Sequence, residues 1–354
     1  MKIAVVYNKS FDGVINRFGQ SCPEKYGQKT IDRVAQALGG AGHEVAVVEG
    51  DKYLLGRLEE FMPPDGQGRP SGMVFNMAYG IQGECRYTHI PAMLELAGIP
   101  YTGSSPLGHA LALDKVITKD LIRAANVPTP DYAVLSRPDH PVQRLRFPVV
   151  VKPRHESTSF GLKLVADPKD LPAAVEGIVE VYKQDALVEE YIDGREVCVG
   201  LLGNGEAQET LALVEQDFGD RPLRLVTHDD KYHKGPAEPE KICPAPLAPA
   251  LAEQLRRISR ETFRACHLRD YARVDLRIDS AGRPYVLEIN SMASLGGGGS
   301  YVLAAARTGY DFAPLVNRIL DVAHERYFGV PAPRISPQPP LDRRRLQATA
   351  ASIP

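Results

Sequence analysis

The fold is decided by two apolar, β-branched runs in the C-terminal third of the chain, Arg273-Val274-Asp275-Leu276-Arg277-Ile278 and Val286-Leu287-Glu288-Ile289-Asn290. The short turn between them predicts a β-hairpin that places Asp275 opposite Leu287 and Glu288. Residues two apart on a strand share a face, so Glu288 lies beside Asn290 and Arg273 beside Asp275. Carboxylate and amide oxygens next to a guanidinium are typical of a Mg²⁺ site. A polar surface hairpin is the alternative explanation.

The hairpin runs into a glycine-rich loop, Gly296-Gly297-Gly298-Gly299-Ser300. Four consecutive glycines in a folded region cost considerable backbone entropy. A backbone that approaches a ligand closely explains this cost, and the loop therefore favours a binding site over a surface hairpin.

The composition indicates a globular protein with two or three domains. The chain has 354 residues, is 44% hydrophobic, and carries a formal net charge of -2. This charge gives no reason to expect nucleic acid or a membrane as partner. The five cysteines are widely spaced and contain no CxxC pair, which predicts reduced thiols and a cytoplasmic location. The apolar run at residues 3–7 is too short for a signal peptide or membrane span.

Residues 1–103 are predicted to form an α/β domain with a doubly wound parallel sheet. Strands are expected at 3–7, 44–48 and 73–76, and helices at 30–38 and 90–97. No GxGxxG follows the first strand, so the dinucleotide-binding fingerprint is absent. Later apolar patterns predict helices at 110–125, 171–182, 251–266, 301–307 and 312–326 and strands at 147–153, 186–192, 197–202 and 208–214.

Three lysines occur where an anion is expected, namely Lys115, Lys152 and Lys231. Lys152 ends an apolar strand, where an unpaired buried ammonium is costly, although a lysine that reaches solvent at a strand edge is the alternative. The hydroxyl-rich turn at 154–161 can bind phosphate oxygens through backbone amides. Lys231 lies in a charged loop, residues 227–235, that we expect to act as a lid.

Two further segments are interpreted from composition and position. Glu189, on the strand at 186–192, could contact a nucleobase and ribose beside free strand carbonyls. From residue 331 the chain is rich in Pro, Arg, Ala and Ser, which predicts a disordered tail without an assigned function.

These observations favour a Mg²⁺-nucleotide enzyme that transfers a phosphoryl group, either an ATP-using ligase or a kinase. A two-lobed nucleotide- or amino-acid-binding protein without turnover is the second hypothesis, and it has no need for several metal ligands near the terminal phosphates. A metal-dependent hydrolase is disfavoured because none of the nine histidines forms HExxH or a similar cluster.

Six motifs in a fixed order carry a resemblance to a known family: Leu113-Asp114-Lys115, Phe147-Pro148-Val149-Val150-Val151-Lys152-Pro153, Val188-Glu189-Glu190-Tyr191-Ile192-Asp193-Gly194-Arg195-Glu196, Lys231-Tyr232, Ala272-Arg273-Val274-Asp275 and Leu287-Glu288-Ile289-Asn290. Over residues 1–328 the chain resembles the ATP-grasp superfamily and, within it, the D-alanine:D-alanine ligase family. The resemblance implies an α/β, partly α+β, three-domain fold with ATP between two later α+β domains, 104–190 and 191–330.

The resemblance implies a role for each matching residue. The phosphates of ATP would be bound by Lys115, Lys152 and Lys231 and covered by Thr158 and Ser159. The adenine hinge and the ribose contact would be formed by Glu189, Tyr191, Ile192 and Glu196. Two Mg²⁺ or Mn²⁺ ions would be held by Asp275, Glu288 and Asn290.

The amino-acid substrates would be bound and activated by a second group of residues. Arg273 would stabilise the tetrahedral oxyanion, Ser300 would bind the carboxylate of the second substrate, and Glu24 would bind the amino group of the first. The implied reaction is ATP-dependent peptide-bond formation through an acyl phosphate, and a homodimer is expected from the family alone. A non-catalytic binding protein and a kinase that phosphorylates a small carboxylate are the alternatives.

The chain departs from the family in three loops around the amino-acid pockets. Residues 8–24 replace the family's Gly-Gly-x-Ser-x-Glu loop, and residues 76–80 replace a His-Gly. The loop after Asn290 lacks the family's Ser-Pro-Gly, and its glycine run makes it about one residue longer. The nucleotide and metal motifs are intact. ATP-dependent ligation is therefore predicted more firmly than D-alanine as the substrate.

Overall fold

The structure is a computed structural model that describes residues 1–10, 13–18, 21–142, 144–221, 224–226 and 239–334. The predicted lid loop at 227–235, which includes Lys231, lies outside the described residues. The predicted tail lies outside them from residue 335.

The N-terminal unit is a parallel sheet with helices packed against it. Its elements are β1 (Lys2–Tyr7), α1 (Gln28–Gly40), β2 (Glu44–Glu49), α2 (Leu54–Phe61), β3 (Gly72–Asn76) and α3 (His89–Ala97). The strand order is β2-β1-β3 with both pairs parallel, as predicted. The sequence patterns missed α2, because only Leu54 and Leu58 are buried on its short apolar face and Gly56 lies between them.

The helix predicted at 110–125 is wrong as a single element. The structure has two helices, α4 (Pro106–Leu113) and α5 (Lys115–Ala124), separated at Asp114. Asp114 has an extended backbone, and its carboxylate accepts hydrogen bonds from the amides of Val116 and Ile117 at 3.0 and 3.1 Å. An aspartate that satisfies the free amides of a first turn starts a new helix, which places Lys115 at the first position of α5.

The central unit is an antiparallel sheet covered by one helix. Its elements are β4 (Tyr132–Leu135), β5 (Val149–Pro153), β6 (Lys163–Val165), α6 (Leu171–Tyr182) and β7 (Ala186–Glu190). The strand order is β4-β7-β5-β6. The β7 strand ends at Glu190, two residues earlier than predicted.

The C-terminal unit is built on a larger antiparallel sheet. Its elements are β8 (Gly194–Leu202), β9 (Glu209–Thr210), β10 (Val214–Asp217), β11 (Glu240–Ile242), α7 (Pro249–Ala265), β12 (Tyr271–Asp279), β13 (Pro284–Asn290), α8 (Ser300–Thr308) and α9 (Phe312–Phe328). The strand order is β11-β10-β8-β12-β13, and β9 pairs with β8. The single strand predicted at 208–214 is wrong, because the chain leaves the ladder at Ala212, whose amide donates to the Thr308 hydroxyl at 2.8 Å.

The β12–β13 hairpin has the predicted register and one irregularity. Asp275 pairs with Glu288, whereas Leu276 pairs with Val286, so Leu287 is the extra residue of a β-bulge. The same pairing sets Arg273 opposite Asn290. The polar side chains of both strands therefore meet at one end of the hairpin.

The last helix joins the C-terminal and N-terminal units. α9 packs on α1, and Leu315 and Ile319 share a hydrophobic core with Ile31 and Leu38. The Asn317 amide also donates to the carbonyl of a residue in α1 at 3.0 Å. Burial of this shared apolar surface fixes the first and last parts of the chain relative to each other.

Two expectations from composition can be compared with the described residues. All five cysteines fall within them, and each is a free thiol. No helix in the described part of the chain is long and apolar enough to cross a membrane.

We expect Asp114→Ala to lower the free energy of unfolding by about 2 kcal/mol or more, because it removes a helix cap and a carboxylate that also pairs with Arg154. Asp311→Ala is the matched control, since Asp311 precedes α9 without a capping hydrogen bond from its side chain. It should change the unfolding free energy by less than about 0.5 kcal/mol. Urea unfolding compares the two, and equal losses would contradict the assignment of Asp114 as the cap.

Candidate active site

A cavity of about 460 Å³ lies where the three units meet. It is lined by eleven of the residues predicted from sequence: Glu24, Lys115, Lys152, Thr158, Ser159, Glu196, Arg273, Asp275, Glu288, Asn290 and Ser300. The glycine run at 296–299 also forms part of the wall. Glu189, Tyr191 and Ile192 do not line the cavity, and Lys231 lies outside the described residues. The fold thus brings together most of the predicted site from distant parts of the chain.

The hairpin contributes a connected group of charged and amide side chains. The Arg273 guanidinium donates to both carboxylate oxygens of Asp275, each at 2.6 Å, and Asn290 donates to the same carboxylate at 3.0 Å. Burial by itself would lower the pKa of Arg273, but the charge of Asp275 outweighs burial and raises that pKa. Arg273 is therefore a permanent positive charge at the cavity wall.

The predicted metal ligands are consistent in chemistry with a hard cation. Asp275, Glu288 and Asn290 offer two carboxylates and an amide oxygen from neighbouring strands, and all three line the cavity. Among the residues that the structure describes, no cluster of three or more His, Cys, Asp or Glu side chains could hold a metal ion. The three predicted ligands do not form such a cluster, because the third, Asn290, contributes an amide oxygen.

Lys115 lies between the hairpin and the turn that follows β5. Its ammonium is buried, lies 4.0 Å from a carboxylate oxygen of Glu288, and donates to the backbone oxygen of Glu156. Burial lowers the pKa of Lys115, while Glu288 opposes that shift. In the turn itself, Thr158 and Ser159 have φ angles of 56° and 59°, a conformation uncommon for residues with side chains.

Lys152 and Glu189 form an ion pair that also involves a residue the sequence reasoning missed. The Glu189 carboxylate contacts Lys152 on one side and Lys119 on the other, the second at 2.7 Å. Lys119 is fully buried and also donates to the Thr129 hydroxyl at 2.7 Å. A second lysine four residues after Lys115 was the available signal, because positions i and i+4 share a helix face.

This pairing changes the position expected for Glu189. Burial disfavours its charge, but Lys119 and Lys152 hold the pKa of the carboxyl below its usual value. The carboxylate is thus a counter-charge for two lysines and does not line the cavity. An adenine contact by the side chain of Glu189 stays a prediction.

The segment after β7 is held by Arg277, another residue that the sequence reasoning did not assign to the site. Arg277 is almost fully buried, donates to the Ile192 carbonyl at 2.8 Å, and pairs with Glu196 at 3.0 Å. Its guanidinium also lies 5.0 Å from the centre of the Tyr191 ring. Three of the four residues predicted to bind adenosine therefore share one positioning side chain.

The part of the cavity lined by Glu24 and Ser300 combines polar groups with an aromatic wall. Glu24 accepts a hydrogen bond from the Tyr87 hydroxyl, and Ser300 receives one from the Gln216 amide at 3.2 Å. Tyr26 stacks on Tyr79 with ring centres 5.2 Å apart. Ser300 begins α8 directly after the glycine run, so the loop and the start of the helix form one wall.

Two antiparallel sheets that enclose a lysine-rich cavity beside an N-terminal parallel sheet define the ATP-grasp class of protein. The family profile described as "D-ala D-ala ligase C-terminus" matches residues 121–321. The chain belongs to the D-alanine–D-alanine ligase family, and both the predicted family and the predicted fold class are confirmed.

Similar proteins agree with this assignment. An uncharacterized protein, y4sG of Sinorhizobium fredii, is 57% identical over 333 residues, which cover 93% of this chain and 98% of y4sG. The D-alanine–D-alanine ligase of Carboxydothermus hydrogenoformans is 32% identical over 312 residues, covering 85% of this chain and 95% of that protein. The crystal structure of the Bacillus anthracis D-alanine–D-alanine ligase complexed with ATP has a TM-score of 0.72 at 21% identity and covers 92% of this chain and 98% of that one.

We expect Lys119→Met to weaken the rise of stability at alkaline pH. Burial lowers the pKa of Lys119 from 10.5 to about 8, so between these values the unfolded chain binds more protons than the folded one. The free energy of unfolding therefore increases with pH in this window, and the variant loses that contribution. Urea unfolding at pH 8, 9 and 10 measures the slope.

The exposed Lys163 of β6 offers the matched control. Lys163→Met should keep the wild-type slope. Identical slopes for the Lys119→Met variant and the wild type would contradict the proposed titration.

Proposed function

We propose that this protein is an ATP- and Mg²⁺-dependent ligase that joins the carboxylate of one amino acid to the amine of a second. The observation that carries the proposal is that one cavity is lined both by Lys115, Lys152 and the β12–β13 hairpin and by Glu24 and Ser300. The ligation of two amino acids needs both a phosphoryl-transfer site and two adjacent substrate pockets. A binding module without turnover needs only one of them.

The relatives support this proposal. Several proteins with 28–34% identity to this chain are named D-alanine–D-alanine ligase, among them the Carboxydothermus protein. A structural relative was solved with ATP. We therefore propose ATP as the nucleotide, bound by Lys115 and Lys152 at the phosphates and by Glu196 at the ribose.

The proposed metal site consists of Asp275, Glu288 and Asn290, with room for two ions expected from the family. When bound, Mg²⁺ or Mn²⁺ offsets negative charge on the phosphoryl group that is transferred. The protein's own contribution is to hold the oxygen donors on two paired strands, where the bulge at Leu287 sets their spacing.

The first chemical step activates a carboxylate. A carboxylate oxygen of the first amino acid attacks the γ-phosphorus of ATP, the bond to ADP breaks, and an acyl phosphate forms. Lys115 and Lys152 bind the phosphate oxygens, and the turn with Thr158 and Ser159 covers them. Glu24 holds the ammonium of this substrate so that its carboxylate points toward the nucleotide. Adenine would lie near Tyr191 and Ile192.

The second step forms the amide bond. The amine of the second amino acid, with its carboxylate held by Ser300, attacks the acyl carbon, loses a proton, and expels phosphate. Arg273 and amides of the glycine run stabilise the tetrahedral oxyanion. Exclusion of water protects the acyl phosphate, and the loop with Lys231 is proposed to provide this cover.

D-alanine is proposed for both substrates, or a different pair of amino acids in a close relative of that enzyme. The second possibility is kept because the three loops that depart from the family lie around the amino-acid pockets. The same proposal includes three domains with the limits 1–103, 104–190 and 191–330. It also includes a cytoplasmic location and a homodimer, and sedimentation tests the dimer.

An ADP-release assay across D- and L-amino acids, singly and in pairs, tests the proposed function. We expect ADP release that depends on two amino acids, with a dipeptide detected by mass spectrometry. ADP release with one carboxylate and no amide product would instead identify a kinase. No response to any amino acid would reject the ligase.

We expect Asp275→Asn and Glu288→Gln to reduce turnover by at least about 100-fold, because both remove negative charge from the proposed metal site. Circular dichroism should show an unchanged fold. Glu253→Gln, at an exposed position of α7, is the matched control and should keep full activity. Wild-type turnover in both site variants would refute the metal assignment.

A further inference from the structure

The side chains of the short turn Arg86–Thr88, between β3 and α3, contact two carboxylates that line the cavity, Glu156 and Glu24. We propose that Arg86 and Tyr87 are positioning residues that couple the amino-acid pocket to the phosphate-binding turn. This inference rests on the proposed function. Neither residue belongs to the motifs that identify the family, and each acts through the carboxylate that it contacts.

Arg86 controls the position of Glu156, which lies two residues before Thr158. The Arg86 guanidinium contacts one carboxylate oxygen of Glu156 at 3.1 Å, and the Gln184 amide donates to the other at 2.8 Å. The backbone oxygen of Glu156 accepts a hydrogen bond from Lys115. Glu156 is thus held at three atoms, and one of its partners is a proposed phosphate ligand.

The burial of this ion pair argues for a positioning role. Arg86 is 1% exposed and Glu156 4% exposed, and the two residues belong to different units of the fold. A buried ion pair contributes little net stability to the fold, because the cost of desolvation opposes the attraction between the charges. An apolar pair of similar volume often stabilises the folded state at least as much. The ion pair does fix the position of Glu156 relative to Arg86, because separating the two side chains would leave each charge buried without a partner.

Tyr87, the next residue, holds the proposed amino-group ligand. Its hydroxyl donates to Glu24, and its ring packs between Tyr79 and His109. Burial first, and then the charge of Glu24, raise the pKa of Tyr87 well above its usual value, so the hydroxyl remains a donor. The Tyr87 side chain is therefore fixed by packing as well as by its hydrogen bond.

The turn that carries both side chains is itself tightly held. Gly80 has a φ of +83°, and a Cβ at that position would lie 2.1 Å from the Arg86 carbonyl oxygen. The segment that follows β3 and the turn are thus in direct backbone contact. Because Arg86 and Tyr87 are adjacent on this constrained turn, we expect a shift of Tyr87 on amino-acid binding to move Arg86 as well.

Coupling predicts that the first amino acid and the nucleotide bind cooperatively. Calorimetry with AMP-PNP and Mg²⁺ measures nucleotide affinity with and without the amino acid that supports the highest ADP release. In the wild type we expect that amino acid to tighten AMP-PNP binding by about fivefold or more. An unchanged affinity would overturn the proposal.

Two variants test the Arg86–Glu156 contact and the Tyr87–Glu24 contact separately. In Arg86→Met/Glu156→Gln the ion pair is replaced by neutral groups, and the side-chain amide introduced at position 156 still reaches Gln184. We expect AMP-PNP alone to bind about tenfold more weakly and the amino acid to tighten it less than about twofold. In Tyr87→Phe we expect wild-type affinity for AMP-PNP alone, an increase of about tenfold in KM for the first amino acid, and the same loss of cooperativity.

Cooperativity that persists in both variants would overturn the proposal. Arg86→Lys, which keeps the charge but loses the planar guanidinium, replaces the double variant if that protein does not fold, and it should show a smaller loss in the same direction. Tyr310→Phe is the matched control, because the Tyr310 hydroxyl also donates to a glutamate, Glu209 at 2.9 Å, but does not line the cavity. It should keep the wild-type cooperativity. If no amino acid supports ADP release, the proposed function fails, whereas weaker AMP-PNP binding in the double variant still tests the contact between Arg86 and Glu156.

Discussion

The structure depends on the balance of charge among three buried lysines at and behind one wall of the cavity, of which Lys115 and Lys152 line it. Lys119 and Lys152 share the single carboxylate of Glu189, and Lys115 lies at 4.0 Å from Glu288. One carboxylate cannot offset two ammonium groups, so this wall keeps a net positive charge in a water-poor environment. Such a wall favours the binding of an anion, because each buried charge is costly until it is paired. This balance is the physical basis for the proposed phosphate site.

The β12–β13 hairpin adds negative charge next to this positive wall. Its bulge at Leu287 lets Asp275 pair with Glu288 and keeps the polar side chains of both strands on the cavity side. Arg273 engages the Asp275 carboxylate from the same strand. Positive and negative groups therefore lie close together at the cavity, which suits the proposed transfer of a phosphoryl group to a carboxylate.

The sequence predicted features that depend on residues near each other in the chain, and it missed features that depend on residues far apart in the chain. Local patterns located β1, α1 and the hairpin, because apolar periodicity and turn residues act over a few positions. The apolar pattern at 110–125 ran through the break at Asp114, since a capping aspartate inside such a pattern looks the same as an exposed helical one, whereas the family resemblance of Leu113-Asp114-Lys115 already implied the start of a helix there. Lys119 and Arg277 were also missed, because their partners are distant in sequence.

The sequence by itself determined the family, the class of fold and eleven of the residues that line the cavity, because these features reside in motifs of fixed local spacing. Only the tertiary structure decided that Glu189 is a counter-charge for two lysines. It also decided that Arg86 and Tyr87, neighbours in the chain, reach Glu156 and Glu24 in different directions. These pairings arise when separate units pack together, and no local pattern encodes which buried charges will meet.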